Sequence, residues 1–297
     1  MLLQIQSVIY LNEPDALVKA IKSLKQAICV CKKEYAELQV RLVYGDASPS
    51  RVLSEEDVAY VKTLLGELIE FEYIIFGFNS GTAKGHNIIG NQYASDYMMI
   101  MNPDIIVEPE CILKLLKAFD VKAFVGMTEA RQTPLEHAKE YSVETGETEW
   151  ASTACTIIKT SIFHEISGFD EETFFLYCDD LDFSWRLRLC EYTIIYVPSA
   201  IAYHAKFLSS DGNWKPTSAE IYFSAEAAIL LAYKWSHAER AEHLAKLYRN
   251  NGGDSEKKAA AEYERRKKEG RLPKQLDGEH KIGKFLKDDY CEMRFYY

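Results

Sequence analysis

Apolar and polar positions along the first half of the chain follow two alternating patterns. Short apolar runs predict strands at 5–10, 38–44, 70–76, 97–101 and 123–127. Apolar residues spaced three and four positions apart predict helices between them, at 14–30, 54–68, 84–95 and 108–119. Ser54 and Asp57 have the spacing of a helix N-cap and its third helical position. This βαβα order predicts an α/β fold with a mostly parallel central sheet flanked by helices.

The pattern changes in the second half of the chain. Residues 128–150 are polar and ambiguous. Further strands are predicted at 152–159 and 192–203, and further helices at 219–235, 238–249 and 255–269. The last of these is rich in Lys and Glu, which predicts a solvated helix or a loosely held arm. We therefore predict an α/β domain over residues 1–215 and a helical appendage over residues 216–297.

Composition narrows the class of protein and its partners. The 297 residues are 47% hydrophobic and 27% charged, which is ordinary for a soluble globular protein. The formal net charge of -10 argues against a nucleic-acid partner, because phosphate binding needs a basic surface. The seven cysteines include no CxxC pair and predict reduced thiols. The N-terminal residues show no signal-peptide pattern, and no run of 18 apolar residues predicts a membrane span. The acidic charge and the reduced cysteines favour the cytoplasm, either in solution or at the inner face of the membrane.

Polar turns and one dense cluster of acids mark where chemistry is expected. Ligands of parallel sheets bind beyond the carboxyl ends of the strands, and the polar turns 45–48, 79–81 and 102–104 follow such ends. Three carboxylates lie within 179–182, directly after an aromatic segment. Like charges this close oppose each other's ionisation unless cations, hydrogen-bond donors or a substrate hold them. The segment therefore predicts the rim of a catalytic pocket that holds a general base.

Several motifs occur in the order and spacing of a known enzyme family. They are 79–87 (NSGTAKGHN), 101–104 (MNPD), 168–171 (GFDE), 175–182 (FLYCDDLD), Arg186 and 198–200 (PSA) with His204. Together they resemble the family 2 glycosyltransferases of the GT-A fold, particularly the rhamnosyl- and galactofuranosyl-transferase branch, over roughly residues 5–207. The resemblance implies a nucleotide-sugar donor, a divalent metal ion (Mg²⁺ or Mn²⁺) and inversion at the anomeric carbon. It also implies a glycan or lipid-linked saccharide as acceptor, in polysaccharide or glycoconjugate synthesis.

The resemblance places four residues around the nucleotide. They are Tyr10, Asn12, Asp46 and Asn102. A carboxylate at position 46 can accept a hydrogen bond from a base N–H or a ribose hydroxyl, and the base can be that of UDP or dTDP. The residues alone allow an Asx turn equally well.

The resemblance assigns the metal ion to Asp104 and His204. Asp104 follows a buried strand and offers the oxygen ligand that Mg²⁺ and Mn²⁺ prefer. The family usually carries Asp-x-Asp at this point, so a single carboxylate predicts weaker metal binding in which the diphosphate supplies more ligands. A turn at the strand end and a packed imidazole explain the same two residues without a metal.

A glycine-rich turn is predicted to approach the phosphates. Asn79 and Gly81 precede a predicted helix, whose backbone N–H groups favour anions, and Lys84 adds a positive charge. A glycine-permitted turn with an N-cap is the structural alternative.

The acid cluster is assigned to the acceptor side of the reaction. The resemblance makes Asp180 the general base that deprotonates the acceptor hydroxyl, with Asp179 in support. Asp182 and Arg186 are spaced as an ion pair on one helix face, which predicts that Arg186 orients the cluster. Trp150 is predicted either to contact the acceptor sugar or to pack in the core.

The C-terminal region leaves several roles open. A basic stripe within 257–271 predicts either a solvated helix balanced by Glu residues or a peripheral contact with anionic lipids. The region is otherwise expected to contact the acceptor or a second copy of the chain in a homo-oligomer. Two other functions compete with glycosyl transfer: a nucleotidyltransferase, and a non-catalytic partner that binds nucleotide sugar. The acidic and apolar residues 10–18 disfavour the first, and Asp180 disfavours the second.

Overall fold

The computed structural model describes residues 1–135, 139–204 and 216–286. Within these residues the chain forms nine strands and nine helices. The strands are β1 (Leu2–Ile9), β2 (Gln39–Asp46), β3 (Glu70–Ile75), β4 (Tyr97–Met101), β5 (Ile105–Val107), β6 (Val125–Thr133), β7 (Glu147–Thr148), β8 (Cys155–Lys159) and β9 (Thr193–His204). The helices are α1 (Pro14–Glu34), α2 (Glu55–Leu65), α3 (Gly81–Gln92), α4 (Cys111–Lys117), α5 (Thr160–Glu165), α6 (Asp179–Leu189), α7 (Ser218–Lys234), α8 (Ala238–Asn251) and α9 (Asp254–Lys268).

The strands form one mixed sheet in the order β3-β2-β1-β4-β8-β6-β9-β5, with β7 paired to β9. The first four strands in this order are parallel, as predicted. The remainder is mixed, since β8 runs antiparallel to both β4 and β6, while β6 and β9 are parallel. Met101 at the end of β4 lies opposite Cys155 at the start of β8. The turn that leads into β8 therefore lies at the same sheet edge as the carboxyl end of β4.

Local sequence signals account for most element boundaries. Ser54 and Asp57 form the predicted capping box at the start of α2. The apolar stripe of α1, including Leu17, Ile21 and Leu24, is buried against the sheet. Strand β6 continues past the predicted end at residue 127 into the ambiguous segment 128–150 and ends at Thr133. Pairing with β8 on one side and β9 on the other accounts for this extension. The predicted α/β class is confirmed.

Helices α7–α9 pack on one another and on α6. They share an apolar cluster in which the rings of Trp185 and Trp235 meet edge to face, with centroids 5.1 Å apart. The Lys- and Glu-rich segment forms helix α9, and it is not a loose arm because it buries Ala260 and Tyr263. The predicted domain boundary at residue 215 lies outside the described residues.

Acids of the same helices pair with several cations of the basic stripe. Arg265 and Arg266 contact Glu262, Lys267 contacts Glu242, and Arg271 contacts Glu269. This pairing agrees with the first of the two predictions for the basic stripe, a solvated helix whose cations are balanced by Glu residues. Contact with anionic lipids stays a prediction. None of the helices within the described ranges is both long and apolar enough to span a membrane.

Candidate active site

The turn after β4 brings the predicted metal residues together. Asp104 lies between β4 and β5, and His204 ends β9, which pairs with β5 so that Ile105 faces His204. The imidazole Nε2 of His204 is 3.5 Å from a carboxylate oxygen of Asp104. The same nitrogen is 3.4 Å from the side-chain nitrogen of Asn102. Asn102 and Asp104 thus share one small surface at the sheet edge with His204, which is 102 positions from Asn102 along the chain.

The chemistry of this donor set fits a divalent metal. Nδ1 of His204 is 3.1 Å from the Oε1 atom of Gln132 on β6. Because an amide oxygen only accepts, this contact assigns the proton to Nδ1 and leaves the Nε2 lone pair facing Asp104. One carboxylate and one neutral imidazole suit Mn²⁺ or Mg²⁺. No cluster of three or more His, Cys, Asp or Glu ligands occurs among the described residues, so oxygens of a bound ligand or water would fill the remaining positions.

The acid cluster begins helix α6 after an unusual backbone. Tyr177 and Cys178 both have positive φ values, of 68° and 55°, although neither is glycine. Such left-handed residues cost free energy and persist only where surrounding contacts enforce them. They turn the chain sharply, so that both Asp179 and Asp180 emerge at the first turn of α6. The strain is therefore located immediately before the predicted base.

The two acids have different surroundings. Asp179 is buried, and one of its carboxylate oxygens accepts a 2.9 Å hydrogen bond from the Thr82 hydroxyl on α3. Asp180 is half-buried and accepts from the backbone N–H of Leu181 over 2.8 Å. Asp180 is thus the more accessible carboxylate of the pair.

Burial raises the pKa of both acids. For Asp179, burial and the nearby Asp180 charge raise the pKa to about 7, although the Thr82 bond opposes the shift. For Asp180, burial also raises the pKa, and the backbone donors of Leu181 and Thr153 together with the Lys139 charge oppose it. A half-buried carboxylate with a raised pKa has the properties of a general base.

The turn before β8 connects the predicted metal turn to the helix that carries the predicted base. The backbone N–H of Asn102 donates to the Ala154 carbonyl over 2.9 Å. In the same turn, the Ala151 N–H donates to the Ser184 hydroxyl of α6 over 3.1 Å. Segment 151–154 therefore contacts both the turn that leads to Asp104 and the helix that carries Asp180.

The ends of β1 and β2 form the predicted nucleotide loop. The Tyr10 backbone N–H donates to the Asn12 side chain over 2.9 Å, and the Leu11 N–H donates to the Ser48 hydroxyl. The ring of Tyr10 is 44% exposed and available to a ligand at this edge. The structure therefore places these residues beside Asp46, whose contact with a nucleotide stays a prediction.

The Asp46 carboxylate itself is fully buried and organises the loop. It accepts from the backbone N–H groups of Ser48 and Val52, at 2.9 and 2.7 Å, and from the Tyr73 hydroxyl. Burial raises the pKa of Asp46, but the hydrogen bonds from Tyr73, Val52 and Ser48 outweigh it and hold the pKa below its ordinary value. The Asx turn named as an alternative is present at this position.

The glycine-rich turn packs against the acid segment. Gly81 has a φ of 65°, and a Cβ on it would lie 2.2 Å from the Phe175 carbonyl oxygen. Asn79 accepts from the Gly81 N–H over 3.2 Å, which closes the turn. Lys84 is half exposed and lies 3.8 Å from Glu171. These contacts give Gly81 a packing role, and contact of Asn79, Gly81 and Lys84 with phosphate stays a prediction.

Arg186 stabilises the backbone ahead of the acids. It forms the predicted ion pair with Asp182 at 2.8 Å and also donates to the carbonyls of Ile166 and Gly168. The other Asp182 oxygen accepts from Lys234 and from the indole N–H of Trp235 on the C-terminal side. Asp182 is therefore a structural anchor for α6.

Trp150 is almost entirely buried, at 6% exposed, so it packs in the core below the turn at 151–154. Its ring supports the ammonium group of Lys139, which is 4.0 Å from the ring centroid. Core packing was one of the two predicted roles of Trp150, whereas direct contact with an acceptor sugar stays a prediction.

Sequence comparison relates the chain to rhamnosyltransferases. No family model matches it. It is 22% identical to the rhamnosyltransferase WbbL of Escherichia coli K12 over 188 residues, which are 52% of this chain and 71% of that protein. It is 39% identical over 57 residues to the N-acetylglucosaminyl-diphospho-decaprenol L-rhamnosyltransferase of Mycobacterium tuberculosis. That match covers 19% of this chain and 18% of the mycobacterial protein.

Solved structures with the same fold are glycosyltransferases of the GT-A type. GalNAc-T7 with UDP, GalNAc and Mn²⁺ superposes with a TM-score of 0.63 at 12% identity, over 92% of this chain and 55% of that chain. The mannosyltransferase PcManGT of Pyrobaculum calidifontis, in complex with GDP-Man and Mn²⁺, gives 0.60 at 12% identity, over 90% and 75%. The chain therefore has the fold of GT-A glycosyltransferases and is distantly similar in sequence to rhamnosyltransferases. The resemblance drawn from its motifs is confirmed.

Four further residues around the candidate site were missed in the sequence. Tyr73 and Gln132 hold Asp46 and His204, and Thr82 and Lys139 interact with Asp179 and Asp180. Thr82 lies inside a quoted motif, which was a usable signal. The other three lie in segments without a motif, and only the pairing of distant strands brings them to the site.

Proposed function

We propose that the enzyme catalyses inverting, metal-dependent transfer of a sugar from a nucleoside-diphosphate donor to a hydroxyl of a glycan or lipid-linked saccharide. Rhamnose is the first candidate sugar. The observation that carries the proposal is the segment 151–154, whose hydrogen bonds join the Asn102 turn to helix α6, which begins with Asp179 and Asp180. One site then contains both an oxygen and nitrogen donor set for a metal and an accessible base.

The proposed reaction is a single displacement. Asp180 accepts the proton of the acceptor hydroxyl as that oxygen bonds to the anomeric carbon. The bond from this carbon to the diphosphate oxygen breaks, and its electron pair leaves with the nucleoside diphosphate. Attack from the face opposite the leaving group inverts the configuration. Asp104 and His204 would hold the metal, which when bound stabilises the negative charge of the diphosphate.

The sequence relatives support the choice of sugar and acceptor. Both are named as rhamnosyltransferases, and the mycobacterial name specifies a sugar attached to a polyprenyl diphosphate. The chain matches only part of each protein, so sugar and acceptor belong to the proposal. The UDP and GDP-mannose complexes of the solved structures support a nucleotide-sugar donor in the same fold.

The test is nucleoside diphosphate release from a panel of UDP-, dTDP- and GDP-sugars with Mn²⁺ or Mg²⁺. Each donor is tried with and without a polyprenyl-diphosphate-linked N-acetylglucosamine. We expect one donor to react, the reaction to stop on chelation, and the product to show the opposite anomeric configuration by NMR. Asp180→Asn should lose turnover by about 10²–10⁴-fold while the nucleotide still raises its melting temperature.

Two results would overturn the proposal. Retention of configuration would exclude the single displacement. Nucleotide binding without turnover for any donor and acceptor would instead support a non-catalytic binding protein.

A further inference from the structure

One residue of α3 contacts the acid segment on both sides of its strained turn. The backbone N–H of Thr82 donates to the Phe175 carbonyl over 3.0 Å. The Thr82 hydroxyl donates to a carboxylate oxygen of Asp179 over 2.9 Å. The two left-handed residues, Tyr177 and Cys178, lie between these contacts along the chain. Because such residues persist only where surrounding contacts enforce them, Thr82 is well placed to hold this turn.

The start of α3 is shaped to receive the acid segment. Thr82 is the second residue of α3, and the N–H groups in the first turn of a helix have no partner within the helix. The Phe175 carbonyl supplies that partner. The preceding residue, Gly81, permits the approach, since a Cβ there would lie 2.9 Å from the Phe175 ring and 3.0 Å from its carbonyl carbon. A side chain at position 81 would therefore push the two elements apart.

A second residue of α3 holds the same segment further upstream. The Asn87 side chain accepts from the Phe169 backbone N–H over 2.8 Å and donates to the Phe169 carbonyl over 2.9 Å. It also donates to the Glu171 carboxylate over 2.7 Å. These bonds do not involve the Thr82 hydroxyl. Its removal should therefore loosen the turn and Asp179 while residues 169–171 stay attached to α3.

The bond from Thr82 to Asp179 also bears on the orientation of Asp180. The two acids are consecutive residues in the first turn of α6. Asp180 accepts from the Leu181 N–H, which lies in the same turn, so this bond does not fix the turn relative to the rest of the protein. The bond to Asp179 crosses from α6 to α3 and does fix it.

We infer that Thr82 is a positioning residue, which holds the acid pair at the start of α6 in the orientation that sugar transfer requires. The inference rests on the proposed function of Asp180. The contact itself can be followed at Asp179 without turnover, so the two proposals can fail separately.

The experiment compares three threonine variants of the full chain. Thr82→Val removes the hydroxyl but keeps the shape of the side chain and the backbone N–H, and Thr82→Ser restores a hydroxyl. Thr160→Val is the matched control, because the buried Thr160 hydroxyl pairs with the Ser95 hydroxyl at 2.8 Å, ahead of the amino end of β4. That edge of the sheet is opposite the candidate site.

Two quantities are measured for each variant. The first is kcat and KM for the donor identified by the panel above, on the plateau of the pH profile so that protonation does not contribute. The second is the titration midpoint of the Asp179 carboxyl group by ¹³C NMR, with Asp179→Asn for assignment.

We expect Thr82→Val to lower kcat about tenfold and to leave KM for the donor unchanged. The Asp179 midpoint should rise by about one pH unit, because the Thr82 bond lowers the pKa of this acid against the effect of burial. Thr82→Ser should recover most of both losses, and Thr160→Val should match the unmodified protein in both.

Three results would overturn the inference. The first is an unchanged kcat in Thr82→Val when Asp180→Asn is inactive, which would leave the proposed function standing. The second is an unchanged Asp179 midpoint in Thr82→Val. The third is an equal fall of kcat in Thr160→Val, which would trace to packing in general. If Asp180→Asn keeps full activity while Thr82→Val behaves as expected, the proposed base is wrong and the positioning of the acid pair by Thr82 still stands.

Discussion

The proposed donor side and the proposed acceptor side of this site are held together differently. On the donor side, the Asp46 carboxylate accepts from N–H groups two and six positions further along the chain. On the acceptor side, Asp179 is held by Thr82, which is 97 positions away, and Asp182 bonds Trp235, which is 53 positions away. We expect a substitution in a local turn to leave the stability of the fold nearly unchanged. A substitution that breaks a contact between distant elements should lower stability as well as activity. Substitutions on the two sides should therefore separate in what they affect.

Among the substitutions that compare the two sides, the largest effect on activity is expected at the proposed metal turn. Asp104 is 35% exposed and its side chain serves no core packing, so Asp104→Ala should leave the melting temperature nearly unchanged. Loss of a metal ligand should remove several kcal/mol of charge stabilisation, which corresponds to about 10²–10³ in turnover. Nucleoside diphosphate release measures the first effect and thermal unfolding the second. The exposed acid Asp120, changed to Ala, is the control. A large fall in the melting temperature of Asp104→Ala would contradict the expected separation between effects on activity and effects on stability.

Asp182→Ala tests the acceptor side, where stability should respond instead. Asp182 is fully buried between Arg186 and Lys234, so its removal leaves Lys234 in the core with Asp170 as its remaining ion-pair partner among the described residues. Breaking a buried pair costs about 3–5 kcal/mol, measurable by chemical denaturation. Lys234→Met should cost a similar amount, and the double variant should cost less than the sum of the two. Strict additivity would show that the two groups act independently.

The pH dependence of stability should be visible through Asp179. Its pKa in the folded chain is about 7, above the ordinary 3.8, so the folded state keeps a proton that the unfolded chain releases. Stability should therefore decline as pH rises between about 4 and 7, by up to ~1.4 kcal/mol per unit.

Comparison with Asp179→Asn isolates the contribution of this acid. His86 has the opposite effect, because burial lowers its pKa to about 3 and stability falls as pH drops. Since His86 is present in both proteins, its contribution cancels in the difference. Identical pH slopes of unfolding free energy in the two proteins would contradict the raised pKa of Asp179.

The smallest effect is expected at Tyr73, on the donor side. Its hydroxyl donates to Asp46 and accepts from the Val52 and Leu53 N–H groups, both at 3.1 Å. Tyr73→Phe should cost about 1 kcal/mol of loop stability and raise the donor KM about fivefold with kcat unchanged. Tyr60→Phe, at a half-exposed tyrosine of α2, is the control. A fall in kcat alone would show that Asp46 acts in the chemical step.

The sequence predicted the elements and the turns more fully than the contacts between them. Apolar periodicity and the Ser54 capping signal identified α1 and α2, because these depend on neighbouring residues. The burial of Trp150 under the ammonium group of Lys139 depends on the tertiary fold, because Lys139 pairs with Glu129, which lies where β6 pairs with β8. Spacing along a chain carries no record of such pairings. The motif resemblance supplied the roles of Asp104 and Asp180, and the structure supplied the residues around them.

The bond from Asp182 to Lys234 and Trp235 has a consequence for how this chain can be recombined. Exchanging residues 1–204 with those of a relative, while retaining α7–α9, would leave a buried lysine and an indole N–H facing a foreign helix. We expect such a chimera to misfold, so its preference for an acceptor could not be measured. A chimera should instead take α6 and α7–α9 from the same parent protein. On the proposed acceptor side, the residues that must be exchanged together are those in contact, even where they are distant along the chain.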